Sequence, residues 1–251
     1  MKGDAPFFIG FLRPPEGLRL FLVLVALASL VGFGAGAYFA AATQNDPGDG
    51  RFRFDLGRQT LTGVLETRPY PMLHVIDGEH GTAGRSILLS GAGKRGVIGR
   101  AAPLDGQLVT ASGVLLTRGD IFMLQVRGAE DGLVAAEGDG TVPPAEPLGK
   151  WRLTGEICDG KCYSGAMRPG TGLAHKACAN LCIAGGVPPV LVTTGTVEGT
   201  DYFALGSADG GPIPEWVLNY TAGVVTLDGV VERRGDLAVF LADFGTMERA
   251  Q

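Results

Sequence analysis

All four cysteines of this 251-residue chain, Cys158, Cys162, Cys178 and Cys182, fall within 25 residues. One of the chain's three histidines, His175, lies among them. Thiolates and imidazole are the side chains that bind zinc and copper, so their joint spacing matters. Residues 173–186 read "LAHKACANLCIAGG". Ala and Leu favour a helix there, and Gly185-Gly186 supplies its C-terminal stop. At about 100° per residue, His175, Cys178 and Cys182 fall in one stripe roughly 60° wide. Cys162 lies across the loop "SGAMRPGTG" and can fold back onto that stripe. Together Cys162, His175, Cys178 and Cys182 form a Cys3His set suited to a tetrahedral ion such as zinc. Cys158 and Met167 are further candidate ligands. The Cys-x3-Cys spacing at 158/162 and 178/182, with Met167 nearby, also suits copper(I).

Two disulfides are the competing arrangement. Four cysteines allow three pairings, and one of these needs Cys178–Cys182 within a single helical turn, where the Cβ vectors are poorly directed. Either remaining pairing would staple the segment down and leave His175 as a polar helix residue. Redox-active thiols are a third reading. No Cys-x-x-Cys-His motif for c-type haem occurs, and the spacing matches no standard iron–sulfur run.

The stretch "GEICDGKCYSGAMRPGTGLAHKACANLCIAGGVPP" resembles a family of uncharacterised bacterial exported or membrane-anchored proteins. The resemblance is carried by Gly155, Asp159, Cys162, His175, Cys178, Ala179, Cys182, Gly186 and Pro188. It implies a companion of membrane redox enzymes. Cys158 departs from the pattern, which has an aliphatic residue there.

Other chemistry-bearing residues are sparse. His74 and His80, in "PMLHVIDGEHG", read as packed or surface histidines. "GAGKRG" (91–96) lacks the Gly-x4-Gly-Lys-Ser/Thr frame of a phosphate loop and reads as a turn. No Gly-x-Ser-x-Gly or His-Glu-x-x-His motif is present, and no catalytic residue is assigned.

The scaffold that positions the cysteines shows an internal repeat. Residues 108–126, "LVTASGVLLTRGDIFMLQV", align without gaps to 224–242, "VVTLDGVVERRGDLAVFLA", with seven identities, including Arg-Gly-Asp at 118–120 and 234–236. Upstream, "QTLTGVLE" (59–66) matches "WRLTGEIC" (151–158) through Leu-Thr-Gly. Gly-Asp between apolar runs marks tight hairpins. Strands are expected near 59–67, 72–77, 85–90, 107–117 and 121–127, and again near 151–158, 189–194, 202–206, 223–233 and 237–243. The fold class is therefore mainly β: two OB-like small barrels, 55–128 and 150–246, with a β-sandwich as the rival. The interval between landmark glycines is 50 residues in the first copy and 74 in the second, so the Cys/His segment (158–186) reads as an insertion into the second copy. Residues 129–149, rich in Gly, Pro and acid, read as a linker.

Ahead of the β part, residues 20–42 run 23 positions without a charge. As a helix they would span about 34 Å, enough to cross a bilayer. Residues 1–19 read as a cytoplasmic or interfacial segment and 43–54 as a linker. Ala28, Gly32, Gly36 and Ala40 recur every four residues, a spacing that admits close approach of another helix. Net charge of −5 argues against nucleic-acid binding. The expectation is a bacterial inner-membrane protein with its N-terminus cytoplasmic and its C-terminal bulk periplasmic. It would be a non-catalytic accessory subunit associated with integral membrane subunits of a redox complex, carrying a zinc or copper ion or disulfides. A copper- or thiol-handling assembly factor is the alternative.

Overall fold

The structure, a computed structural model, describes residues 16–43 and 50–250. Most of the expected interfacial segment, residues 1–15, and much of the first linker, 44–49, lie outside the described residues.

A single helix, α1 (Glu16–Ala42), occupies the apolar run. One helix, Gly17–Ala42, is long and apolar enough to cross a membrane, with mean hydropathy 2.4 and none of it buried against protein. Pro47–Gln251 form a separate compact unit.

That unit is mainly β. Its first half contains β1 (Arg51–Phe52), β2 (Gln59–Glu66), β3 (Met72–Asp77), β4 (Ser86–Ser90), a short helix α2 (Ile98–Ala101), β5 (Leu108–Arg118), β6 (Ile121–Val126) and β7 (Leu133–Ala135). Its second half contains β8 (Glu146–Asp159), α3 (Lys176–Ala184), β9 (Pro189–Val197), β10 (Thr200–Ser207), β11 (Val224–Arg234) and β12 (Leu237–Arg249). The second half closes into a five-stranded barrel ordered β10-β12-β11-β8-β9. In the first half, β2 pairs with β3 and β5, β3 with β4, β4 with β6 in parallel, and β5 with β6. The same sequence of pairings, including one parallel pair, links β8 to β12.

The repeated residues occupy equivalent places. Thr62 pairs with Thr110, and Thr154 with Thr226, each pair joined through its hydroxyls at 3.4 and 2.9 Å. Gly63 in β2 and Gly155 in β8 lie where each strand runs closest against its partner, β3 or β9. A Cβ at Gly63 would stand 2.2 Å from the His74 carbonyl oxygen, and one at Gly155 2.4 Å from that of Val192. The Gly119-Asp120 and Gly235-Asp236 turns join β5 to β6 and β11 to β12, with Arg118 opposite Ile121 and Arg234 opposite Leu237.

Residues 129–149 differ from the linker expected of them. Leu133 is buried in the first core, β7 pairs with β5, and Glu146–Gly149 already belong to β8. The side of β5 that β2 leaves open at Val109–Ala111 captures the short apolar run that composition alone hides.

Each half has its own apolar core, one around Leu61, Leu73 and Leu124, the other around Leu153, Phe203 and Phe240. A third cluster joins them: Met72, Leu88 and Met123 pack with Cys158, Tyr163 and Val239. The two Arg-Gly-Asp turns border this seam. Arg118 lies over the Tyr163 ring at 4.2 Å and donates to the Tyr163 carbonyl oxygen at 3.2 Å. Arg234 pairs with Glu66 and Glu232, each at 2.5 Å, and Asp236 accepts from the Ser86 N–H at 2.6 Å. His74 is packed beside them, between Glu66 (2.8 Å) and Ser86 (2.9 Å). Breaking a largely buried ion pair leaves uncompensated charge. Arg234→Met is therefore expected to destabilise the protein by about 2–3 kcal/mol. Urea unfolding checks this, with Arg95→Met, on an exposed side chain, as the neutral comparison.

Candidate metal centre

The cysteine segment leaves the barrel at the end of β8, where Asp159 is fully buried. One carboxylate oxygen of Asp159 accepts the Cys162 backbone N–H at 2.8 Å. The other meets His175 Nε2 at 2.8 Å. A single side chain thus ties the start of the insertion to the start of its helix. The chain then makes a wide helical turn at Cys162–Ala166 and a loop to Gly172. Glu156 accepts the Gly172 N–H at 2.6 Å. One 3-10 turn, Leu173–His175, leads into α3. The helix stops at Gly185-Gly186, and the Val187 N–H returns to the Cys182 carbonyl oxygen at 3.0 Å.

This folding gathers three of the predicted ligands. The sulfurs of Cys162, Cys178 and Cys182 all lie within 4.8 Å of one another, with Cys162 and Cys178 at 3.8 Å. Sulfurs sharing one ion at about 2.3 Å in tetrahedral geometry stand roughly 3.8 Å apart. No disulfide forms: all four cysteines are free thiols. The competing two-disulfide arrangement is not the one found: Cys162 and Cys178 Sγ, at 3.8 Å, stand well outside the S–S bonding distance of about 2.05 Å.

His175 stands differently from its place in the expected stripe. It sits at the N-cap of α3 rather than inside it, buried, and groups with Asp159 and Cys162 instead of with all three sulfurs. Cys158 lies apart from both groups. It is buried in the seam between the halves, its Sγ 3.3 Å from Glu156. Burial and the Glu156 carboxylate push its thiol well above the ordinary range. Met167, about half exposed, lines the same cavity of about 250 Å³ as Cys162, Cys178 and Cys182. His80 is exposed beside Glu79 and far in role from the cluster.

Three charged residues of the site had no role assigned from the sequence: Lys94 and Lys161 were not singled out, and Asp159 entered only as part of the resemblance. Lys94, in the stretch read as a turn, places its ammonium 2.6 Å from Cys178 Sγ and 3.6 Å from Cys182 Sγ. Lys161 is buried and donates to the carbonyl oxygens of Gly91 and Gly93, at 2.7 Å each, which fixes the loop that carries Lys94. Asp159 had a signal, Asp-x-x-Cys, which is the spacing of a side chain that caps the turn ahead. Lys94 had none, because 84 residues separate it from Cys178. The loop and the insertion touch backbone to backbone: the Gly96 N–H donates to the Gly185 carbonyl oxygen at 2.8 Å, and a Cβ at Gly185 would meet the Lys94 carbonyl oxygen at 1.9 Å.

The thiols are electrostatically unequal. A hydrogen bond from Cys162 holds the Cys182 thiol below its ordinary range, with the Lys94 ammonium acting in the same direction. The same contact with Cys182, together with burial, holds Cys162 well above it. The cluster so described can hold a metal ion. No known protein family, curated protein or solved structure matches this chain.

Removing the Asp159 side chain would leave the Cys162 N–H and the His175 ring without their partner. Asp159→Ala is expected to cost about 2–4 kcal/mol, as loss of a buried charged hydrogen-bonding group does. It should also raise amide hydrogen exchange across residues 162–186 while leaving β2–β6 protected.

Proposed function

We propose that the protein is a membrane-anchored accessory protein that holds a soft metal ion in a three-thiolate centre and serves a membrane redox complex. The observation that carries the metal reading is the gathering of Cys162, Cys178 and Cys182 as free thiols at the spacing of ligands to one ion. Zinc and copper are both suited to such ligands. No fourth Cys, His, Asp or Glu among the described residues joins the three sulfurs within 4.8 Å, and the sulfurs line a cavity of about 250 Å³. Open positions belong to sites that exchange or react, and closed four-ligand sets to sites that only brace the fold. This favours metal handling on behalf of a partner metalloprotein over a purely structural role.

Both halves of the β unit are read as OB-like barrels, the second carrying the insertion. Their common order of strand pairing and their equivalent Thr pairs support this reading. The helix supports a single-pass anchor: 27 residues amount to about 40 Å. The N-terminus is assigned to the cytoplasm and the β unit to the periplasm. Integral membrane subunits would pack against the stripe of Ala28, Gly32, Gly36 and Ala40. The likeness of the cysteine segment to exported and membrane-anchored bacterial proteins points the same way.

Metal analysis with thiol counting tests the centre. The full chain, purified under reducing conditions and offered zinc, is expected to bind one ion per molecule. Cys162→Ser, Cys178→Ser and Cys182→Ser should each reduce uptake at least tenfold in affinity, and Cys158→Ser should leave it unchanged. A wild-type chain that binds no metal, or equal loss in the Cys158 variant, sinks the metal reading. For the anchor, Gly32→Leu and Gly36→Leu should weaken co-purification with membrane subunits without altering unfolding of the β unit, since bulk blocks helix approach.

A further inference from the structure

We infer that Lys94 and Lys161 bias the three-thiolate centre toward a monovalent soft cation, of the copper(I) type, over a divalent ion such as zinc. The inference rests on the metal reading above and concerns which ion the centre prefers.

Two independent features point this way. The first is coordination. Three sulfurs converge, and no His, Asp, Glu or further Cys among the described residues joins all three of them within 4.8 Å. His175, the nearest imidazole by sequence, is engaged through Nε2 with Asp159. Thiolates bind both ions, but zinc in protein sites completes a set of four, with water where the protein supplies three, whereas three soft sulfurs suffice for copper(I). Met167, with its thioether, lines the same cavity.

The second feature is charge. Two ammonium groups line the cavity and one carboxylate stands behind it. Lys94 is within hydrogen-bonding reach of two of the sulfurs, and Lys161, buried, borders the same space. Asp159 has a carboxylate oxygen within 4.8 Å of Cys162 Sγ, and that side chain is already engaged by His175 and by the Cys162 N–H. A fixed positive charge repels a divalent ion twice as strongly as a monovalent one at the same place. Removing protons from the thiols has the same cost whichever ion enters, so that cost cancels when the two affinities are compared. The ratio of copper(I) to zinc affinity therefore isolates the effect of the lysines. Lys94 is exposed and screened by solvent, which keeps its expected contribution near tenfold rather than thousands.

The test measures both dissociation constants on the full chain in detergent. Copper(I) is offered anaerobically against a chromophoric copper(I) chelator, and zinc against a chromophoric zinc chelator. Lys94→Met is expected to move the affinity ratio about tenfold toward zinc, and Lys94→Gln likewise. Lys94→Arg, which keeps the charge, should stay within about threefold of wild type. So should Arg95→Met, which removes an exposed charge from the same loop without touching a sulfur. An unchanged ratio in Lys94→Met and Lys94→Gln, with both ions still bound, overturns the inference and leaves the metal centre standing. An equal shift in Arg95→Met also overturns it, by showing a general surface effect. A wild-type chain that binds neither ion removes the centre itself and this preference with it.

Discussion

The buried carboxylate of Asp159 is the constraint on which the cysteine centre depends. It is fully excluded from solvent and satisfies two partners at 2.8 Å, the Cys162 N–H and His175 Nε2. A carboxylate so placed is costly unless its hydrogen bonds are made. The cheapest arrangement for the chain is therefore the one that brings residues 162 and 175 together. Once they meet, the helix that starts at Lys176 has a fixed origin, and its first two turns deliver Cys178 and Cys182 to Cys162. The sulfurs converge because a polar group elsewhere has to be satisfied.

The second dependence is on the seam between the two halves. The insertion belongs to the second half, yet one wall of its cavity comes from residues 93–94 of the first. Glycine backbone contacts bring the 91–96 loop against Gly185-Gly186, and Lys161 reaches across to hold it. The two halves therefore do more than repeat one pattern of strands. The first half supplies the positive charge that faces the thiols of the second.

The repeated Arg-Gly-Asp turns show how one motif was put to two uses. In its hairpin each forms the same two-residue turn. At the seam Arg118 covers Tyr163, which adjoins Cys162, while Arg234 pairs with Glu66. Both turns therefore fasten one half to the other, and one of them steadies the residue next to a thiol. The motif's identity in the two copies follows from turn geometry and from docking together.

Local pattern determined much of this protein. Alternating apolar residues and Gly-Asp turns placed the ten principal strands, most of them within about three residues of their ends, because strand period and turn chemistry act within a few residues; β8 starts at Glu146 and β12 runs on to Arg249, well outside the expected bounds. The gapless repeat foretold the equivalent Thr pairs and hairpins. The uncharged run marked the long helix, and the Ala-rich text after Leu173 marked α3. Composition misjudged residues 129–149, where Leu133 finds the open side of β5 that only the fold creates. Spacing singled out Cys162, Cys178 and Cys182, but it could neither separate Cys158, whose side chain is turned into the seam, nor decide between free thiols and disulfides. Those outcomes depend on where β8 ends relative to α3, a distance set by the barrel. Lys94 was out of reach of any local pattern: its meeting with Cys178 spans 84 residues and exists only because the two β halves pack against each other. Contacts within an element are written in neighbouring residues, whereas contacts between elements are decided by packing.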